Sequence, residues 1–242
     1  MRMDTIYNEN CLDTMARMPD DYVNLTLTSP YDDLRAYNGY SFDFEAIAKE
    51  LFRVTKDGGV CVWVVGDATK NGSESGSSFK QALYFMEMGF NLHDTMIYKK
   101  NSSSYSASPT SNRYTQIFEY MFIFSKGRIR ANLISDKPNK WAGSMDYSGK
   151  NNQPVREFGV RSNIWEYVTS LNSTGHPAPF PEPLAEDHII SWSNEGDLIY
   201  DPFMGSGTTA KMALLNKRHY IGSEISSEYC SLADKRIPMI LL

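Results

Sequence analysis

Residues 201–210 read Asp201-Pro202-Phe203-Met204-Gly205-Ser206-Gly207-Thr208-Thr209-Ala210, and this stretch decides the fold of the chain. A short apolar run, Leu198-Ile199-Tyr200, precedes it, and residues 211–215, which follow it, have helical spacing. The glycines therefore fall in a turn between a strand and a helix, which is where an α/β sheet holds a cofactor. Because Gly205 and Gly207 lack a Cβ, the backbone there can take a positive φ and approach a ligand closely.

An acidic residue follows this turn at a suitable distance. Glu224 comes just after the apolar segment Tyr220-Ile221-Gly222, where a carboxylate can accept hydrogen bonds from both hydroxyls of a ribose. Two glycines followed by an acid about 20 residues later also fit a dinucleotide fingerprint, and a glycine turn can bind nothing at all. The turn lacks the Lys-Ser/Thr pair of a triphosphate site, and few residues follow Glu224. The rest of the sheet must therefore come from the beginning of the chain.

Length and composition are those of an ordinary globular domain. The 242 residues suit a single domain over residues 1–242 with room for a small insertion. Three cysteines lie far apart without metal-ligand spacing, which favours reduced thiols in an intracellular protein. No apolar run approaches the roughly 20 residues of a membrane span, and the polar start is no signal peptide. We expect a cytoplasmic protein.

Charge is distributed unevenly along the chain. The formal net charge is −5, which by itself disfavours nucleic acid as a partner. Residues 98–165, however, contain 11 Lys and Arg but only 4 Asp and Glu, so this segment carries +7 and the remainder −12. Such an asymmetry is typical of a protein with one face that meets a polyanion. A solvated basic loop would have the same composition.

The beginning of the chain supplies a second polar turn. Residues 23–28 are predicted to form a buried strand, and they lead into Ser29-Pro30-Tyr31. In an open α/β sheet the carboxyl end of a strand faces the ligand crevice, so a hydroxyl, a proline and an aromatic ring are presented there together. The predicted fold class is α/β, with a Rossmann-like, mostly parallel sheet of seven strands. These strands are residues 5–7, 23–28, 60–65, 92–98, 118–124, 198–200 and 219–222.

Together these residues resemble the DNA methyltransferases that modify exocyclic amino groups, N4 of cytosine or N6 of adenine, in the circularly permuted arrangement of the β class. The resemblance covers nearly the whole chain, with a catalytic motif first, a basic variable region in the middle and a cofactor motif last. The matching segments are Ser29-Pro30-Tyr31 (catalytic), Phe118–Gly127 (a late strand), His176-Pro177-Ala178-Pro179-Phe180-Pro181 (packing on the methionine end of the cofactor), residues 201–209 (cofactor) and Ile221–Ile225 (ribose-binding acid).

The resemblance implies a site-specific methyltransferase that uses S-adenosylmethionine on double-stranded DNA and needs no metal. It implies that residues 128–165 are an inserted target-recognition region and that Ser29, Pro30 and Tyr31 are catalytic. At Asn10 the family more often has an acid near the adenine of the cofactor. The implied cofactor contacts are Asn10, Cys11, His176, Pro177, Ala178, Phe180, Asp201, Pro202, Phe203, Met204, Gly205, Ser206, Gly207, Thr208, Thr209 and Glu224.

The residue types suit this chemistry. A base inside a duplex hides its amino group, so it must be flipped into a pocket at a cost of a few kcal/mol. Tyr31 can offer a π face to the flipped base, a contact worth about 1–3 kcal/mol in single-strand binders. Ser29 and the carbonyl beside Pro30 can accept the amino hydrogens, which turns the nitrogen lone pair toward the methyl group. Catalysis is then mainly alignment of amine and methyl.

One departure from the family motif leaves alternatives open. The family has Asp/Asn/Ser-Pro-Pro-aromatic, whereas Thr28-Ser29-Pro30-Tyr31 contains a single proline. Either one proline is missing, or Ser29 occupies the place of the first proline and Thr28 is the polar residue. The serine slightly favours N4 of cytosine over N6 of adenine. The shortened motif also fits a catalytically impaired homologue that binds DNA and cofactor.

Two further expectations concern the basic region. Trp141 and Trp165 lie in it, and for both we expect core packing rather than contact with DNA. The region is short for a DNA interface, and a second subunit would extend the contact. A homodimer is therefore considered.

Overall fold

The computed structural model describes residues 1–30, 42–101, 112–145, 153–168 and 181–237. Within them the strands are β1 (Thr5–Tyr7), β2 (Val23–Thr28), β3 (Thr55–Val65), β4 (Thr69–Lys70), β5 (Ser73–Glu74), β6 (Asn91–Lys100), β7 (Phe118–Ser125), β8 (Lys137–Pro138), β9 (Phe158–Gly159), β10 (Ile164–Tyr167), β11 (Leu198–Asp201) and β12 (His219–Ser223). The helices are α1 (Cys11–Ala16), α2 (Phe44–Val54), α3 (Ser77–Glu87), α4 (Glu182–Trp192), α5 (Thr208–Leu215) and α6 (Ser227–Arg236).

The main sheet has eight strands in the order β1-β12-β11-β2-β3-β7-β6-β10. Strand β7 runs antiparallel to β3 and β6, and the other neighbours are parallel. This confirms the α/β class and the mostly parallel sheet. All seven predicted strands are present. The predicted count of seven is corrected to eight by β10, which adds to the outer edge of β6. The circular permutation stays a prediction.

Helices cover both faces of the sheet because its strands are apolar on both sides. Strand β3 shows this best, since residues 60–65 are all buried. On one face α1, α2 and α3 pack over a core that includes Trp63, Phe85 and Tyr200. On the other face α4 and α5 pack over a core that includes Leu27 and Ile199.

Local sequence explains helix α2 well. Asp43 precedes the helix, and its carboxylate accepts a hydrogen bond from the backbone N–H of Ala46 at 3.1 Å. Such N-caps satisfy one of the free N–H groups at a helix start. Ile47, Leu51 and Val54 follow at helical spacing and are buried against the sheet. The cap and the apolar spacing thus account for where the helix starts and for the face that it buries.

The carboxyl ends of four neighbouring parallel strands create the edge that matters for function. Strands β1, β12, β11 and β2 lie side by side in that order and run in the same direction. The segments that follow them, residues 8–11, 224–226, 202–207 and 29–30, therefore emerge at one edge of the sheet. Parallel sheets bind ligands at this edge.

Residues 128–165 connect β7 to β10 along the second face of the sheet. Strands β8 and β9 pair antiparallel within this region. Asn132 donates from its side chain to the carbonyl oxygen of Ser193 at 3.0 Å, and Arg161 donates to Asp187 of α4 at 2.5 Å. The region is thus anchored to α4 at both ends. Its role as a target-recognition insertion stays a prediction.

The two tryptophans of this region differ. Trp165 is buried with 6% exposure and packs its ring 4.8 Å from that of His188, so the predicted packing is confirmed. Trp141 is 67% exposed, and the prediction that it packs in the core is wrong. It lies between β8 and β9, where none of the described helices and strands covers it. Within the described segments no helix has the length and apolarity needed to cross a membrane.

Candidate active site

Asp201 lies at the centre of the edge formed by the four parallel strands. It ends β11, is 5% exposed, and receives three hydrogen bonds. The Oγ1 of Thr28 donates to its Oδ1 at 2.8 Å, the backbone N–H of Phe203 to the same oxygen at 3.0 Å, and the Oγ1 of Thr209 to its Oδ2 at 2.7 Å. Burial raises the pKa of Asp201 to about 6, although the bonds from Thr209 and Thr28 oppose the shift.

The glycine turn takes a shape that only glycine suits. Gly205 and Gly207 have φ angles of 52° and 82°, in the left-handed region. A Cβ at position 207 would lie 2.8 Å from the Cβ of Ala233 in α6, which is closer than packed carbon atoms approach. Both the backbone conformation and the packing against α6 therefore require glycine at position 207. The turn leads directly into α5, whose first N–H groups face the same edge.

Glu224 lies directly after β12, the strand next to β11. It is 2% exposed. Its Oε2 accepts the backbone N–H of Gly205 at 2.8 Å, and its Oε1 accepts that of Ser226 at 2.8 Å. Burial raises the pKa of Glu224, and the backbone N–H groups of Ser226 and Gly205 oppose this. The carboxylate is thus fixed beside the glycine turn, and each oxygen keeps a lone pair that can accept a ligand hydroxyl.

The predicted catalytic turn begins beside Asp201. Thr28 is the last residue of β2 and is 1% exposed, Ser29 is half-buried, and Pro30 is buried. Strands β2 and β11 are parallel neighbours, with Thr26 opposite Tyr200. The predicted catalytic turn begins at Ser29, and residues 201–207 are called the cofactor turn. The two turns therefore leave the sheet at the same edge.

Aromatic side chains line the sheet beneath this edge. The ring of Phe203 lies 5.8 Å from that of Phe42 and 6.5 Å from that of Trp63, measured between centroids. The indole of Trp63 donates to Gln81 at 2.9 Å, which satisfies its only polar group. This packing supports Phe203 within the cofactor turn from the side of β3.

The other predicted cofactor contacts fall into two groups. Asn10 is the N-cap of α1 and accepts the backbone N–H of Leu12 at 2.9 Å, while Cys11 beside it is buried. Burial raises the pKa of the Cys11 thiol to about 12, so it stays neutral. The predicted cofactor contacts His176, Pro177, Ala178 and Phe180 lie outside the described residues, as does the predicted catalytic residue Tyr31.

Arg236, in the last turn of α6, supports the cofactor turn and was not predicted. Its guanidinium donates to the carbonyl oxygen of Ser206 at 2.7 Å and to the Oγ of Ser206 at 2.8 Å. A further N–H bonds to Glu182 of α4 at 2.9 Å, and Lys211 of α5 bonds to the same carboxylate at 2.8 Å. The turn is therefore tied to three helices, and no motif in the sequence indicates this.

Asp67 lies just after β3 and is a further buried carboxylate. It is 3% exposed and accepts hydrogen bonds from the backbone N–H of Ser78 at 3.0 Å and from the hydroxyls of Ser75 and Ser77. Burial opposes ionisation, but these bonds, with that of the Ser78 hydroxyl first among them, leave its pKa below the usual range. The carboxylate oxygens of Asp67 are therefore used to accept hydrogen bonds from residues at the start of α3.

Comparison with known proteins agrees with this geometry. Residues 6–235 match the N6/N4 methylase family, described as DNA methylase. The chain is 59% identical over 240 residues to the orphan methyltransferase M.BamHII of Bacillus amyloliquefaciens, which covers 90% of this chain and 89% of that protein. Both comparisons extend over the catalytic and the cofactor turn.

Solved structures show the same fold at lower identity. The PvuII DNA methyltransferase (cytosine-N4-specific) has a TM-score of 0.74 at 22% identity and covers 96% of this chain and 85% of its own. The M1.HpyAVI–SAM complex has a TM-score of 0.65 at 24% identity and covers 96% and 98%. With the family match over most of its length, this chain belongs to the N6/N4 DNA methylase family, whose members are S-adenosylmethionine-dependent DNA methyltransferases.

Proposed function

We propose that this protein transfers a methyl group from S-adenosylmethionine to N4 of a flipped cytosine in double-stranded DNA. The observation that carries the proposal is the adjacency of the two turns. Thr28 precedes the catalytic turn and Asp201 begins the cofactor turn, and their side chains are joined by a hydrogen bond of 2.8 Å. A methyl donor at one turn and an acceptor at the other would therefore lie within reach of each other.

The cofactor turn has the properties that S-adenosylmethionine requires. Gly205 and Gly207 have no side chains, so an adenosyl group can approach the backbone of the turn at these two positions. Glu224 presents a buried carboxylate with free lone pairs to the two ribose hydroxyls. When bound, the cofactor supplies an electrophilic methyl group on a sulfonium. Glu224 would hold the ribose of the cofactor, and Asp201 would fix the turn that the adenosyl group approaches.

Ser29 is the polar residue of the catalytic turn in this proposal. Thr28 is only 1% exposed and the hydrogen bond that it donates directs its hydroxyl toward Asp201, so the hydroxyl is not presented to a base. Ser29 is the next residue and is half-buried at the ligand edge. This supports the alignment in which one proline of the family motif is missing. Ser29 would accept an amino hydrogen of the base and turn the nitrogen lone pair toward the methyl group.

Residues 128–165 are proposed to contact the DNA and select the site. The described part of this region has several exposed cations. They include Arg128, Arg130, Lys137, Lys140 and Arg156. Phosphates bind such side chains, and base edges are read by side chains that reach a groove. Trp141, which is exposed and has the Lys140 ammonium 5.2 Å from its ring centroid, would join this surface.

Methyl transfer from tritium-labelled S-adenosylmethionine to mixed-sequence duplex DNA tests the proposal. We expect nuclease-sensitive label in the DNA, and digestion to nucleosides should yield N4-methyldeoxycytidine. N6-methyldeoxyadenosine would correct the target base. Binding of DNA and cofactor without transfer would favour the catalytically impaired homologue, and label in nuclease-resistant material would point to another acceptor.

A pair of serine variants sharpens this test. Ser29→Ala removes the proposed acceptor and should lower the transfer rate about 100-fold or more, because catalysis here depends on alignment. Ser231→Ala, on the exposed face of α6, makes the same chemical change away from the site and should leave the rate unchanged. Equal rates for the two variants would remove Ser29 from the mechanism.

A homodimer and a cytoplasmic location stay predictions. A second subunit would lengthen the basic surface that DNA meets, which is the reason for expecting one. Light scattering of the purified protein, with and without a duplex that carries the modified site, measures the mass directly. A mass of one chain without DNA, and of one chain plus one duplex with DNA, would contradict the dimer.

A further inference from the structure

Three buried side chains connect the two turns of the active site. Thr28 of β2, Asp201 of β11 and Thr209 of α5 are 1%, 5% and 3% exposed. The two hydroxyls donate to opposite oxygens of the carboxylate, at 2.8 and 2.7 Å. Thr28 and Asp201 are 173 positions apart in the sequence. These hydrogen bonds therefore join the end of β2 to the end of β11 and the start of α5, at the edge where the ligands are proposed to bind.

The backbone does not make this connection. The ladder between β2 and β11 has its last pair at Thr26 and Tyr200. Beyond that pair no further β2–β11 pair is formed, and β2 continues to pair with β3, where Thr28 lies opposite Trp63. The side-chain bond from Thr28 to Asp201 extends the link by two residues on β2 and by one on β11.

We propose that Thr28 is a positioning residue for methyl transfer: by its hydrogen bond to Asp201 it fixes the catalytic turn relative to the cofactor turn. Thr28 touches neither base nor cofactor in this proposal, and Asp201 acts as its anchor rather than as a cofactor ligand. The inference rests on the proposed function, because a distance between donor and acceptor matters only if both bind here. A misplacement of about 1 Å can cost about 100-fold in rate.

A matched pair of variants on strand β2 tests the positioning role. Thr28→Val keeps the shape of the side chain and removes the donor. Thr26→Val makes the same change two residues earlier on the same face of β2, where the buried Oγ1 has no hydrogen-bond partner among the described residues. Single-turnover transfer at saturating cofactor and DNA should fall about 10- to 100-fold in T28V and stay within about twofold in T26V.

Binding separates positioning from a structural role. The dissociation constants for S-adenosylmethionine and for DNA should be nearly the same in T28V, T26V and the unmodified protein, so the loss appears in the rate alone. Thr28→Ser restores the donor and should restore most of the rate. A T28V protein that is folded and transfers at the unmodified rate overturns the inference, as does a loss of rate explained entirely by weaker binding.

A second measurement needs no turnover. Carbon-13 NMR of labelled aspartate, assigned with Asp201→Asn, follows the titration of Asp201, whose pKa the charge of Glu224 also raises. Loss of the donor should raise the pKa of Asp201 in T28V and leave it unchanged in T26V. If T28V does not fold, Thr28→Ala removes the same donor. An unchanged titration refutes the link, whereas unmodified protein that transfers no methyl refutes the proposed function instead.

Discussion

The cofactor turn and the recognition region are built in opposite ways. Residues 201–210 are almost entirely buried, and the polar groups of Asp201, Ser206 and Glu224 are bound by other parts of the chain. Residues 128–145 and 153–163 are mostly exposed and carry cations and a bare indole. The difference is the one expected if the cofactor turn is preformed and the proposed recognition region gains its contacts only when DNA binds.

The largest effect is expected from a methyl group placed in each region. Gly207→Ala forces a left-handed φ on alanine and a clash with Ala233, so the free energy of unfolding should fall by about 3 kcal/mol. Gly143→Ala also has a left-handed φ, of 79°, but nothing lies within 4 Å of its Cβ. It should cost about 1 kcal/mol or less. Urea unfolding followed by circular dichroism measures both, and equal losses would contradict the comparison.

A carboxylate in each region gives the next largest effect. In Glu224→Gln the amide nitrogen must face a backbone N–H, of Gly205 or Ser226, and one buried donor loses its acceptor. We expect cofactor affinity to fall about 10- to 100-fold, since an unsatisfied buried group costs about 1–3 kcal/mol. Glu157→Gln, exposed in the recognition region, should change nothing. Isothermal titration with S-adenosylmethionine decides, and similar constants for both variants would count against a role of Glu224.

The two regions should also respond to pH with opposite signs. Burial raises the pKa of Asp201 to about 6, so its stabilising contribution is present below pH 4 and is lost as the pH rises through 6. The hydrogen bond from Arg161 lowers the pKa of exposed Asp136, whose contribution is present above its unfolded pKa and is lost on acidification. Between pH 4 and 7, unmodified protein should lose about 2 kcal/mol relative to Asp201→Asn.

Urea unfolding at several pH values measures this difference. Asp136→Asn serves as the reference for the recognition region, and because Asp136 is solvent-exposed its effect should be small and opposite in sign. A stability difference between unmodified protein and Asp201→Asn that does not change with pH would mean that the carboxylate is not titrating in this range.

The smallest effects are expected for single cations of the recognition region. Lys140→Ala or Arg156→Ala should weaken DNA binding about three- to tenfold and reduce the slope of log affinity against log salt by about 1, without changing stability. Lys217→Ala is the control, because Lys217 lies before β12 at the opposite edge of the sheet. Fluorescence anisotropy at several salt concentrations tests this, and an unchanged slope would exclude a phosphate contact.

Much of the fold could be predicted because its signals are local. The apolar run of β3, the spacing of Ile47, Leu51 and Val54 in α2, and the glycine turn after β11 each depend on neighbouring residues alone. The meeting of the two turns at one edge could also be inferred, since parallel strands share the direction of their carboxyl ends.

Other features depend on tertiary contacts with residues that are distant in the sequence. Strand β10 has only four residues, and only Trp165 among them is buried, so its pairing with β6 rather than its pattern makes it a strand. Helix α6 is largely polar, and the bond from Arg236 to Ser206 joins positions 30 residues apart. Whether an indole is covered, as for Trp165, or bare, as for Trp141, is likewise set by tertiary contacts.

The pairing of β2 with β11 has a consequence for biosynthesis. A ribosome releases β2 long before residues 198–201 exist, so one edge of that strand has no neighbour for most of translation. Strand β1 waits longer still, for residues 219–223. Unpaired apolar strands invite aggregation, and a nascent chain with this topology depends on late closure. A pocket that includes Glu224 can therefore form only after residue 224 has left the ribosome.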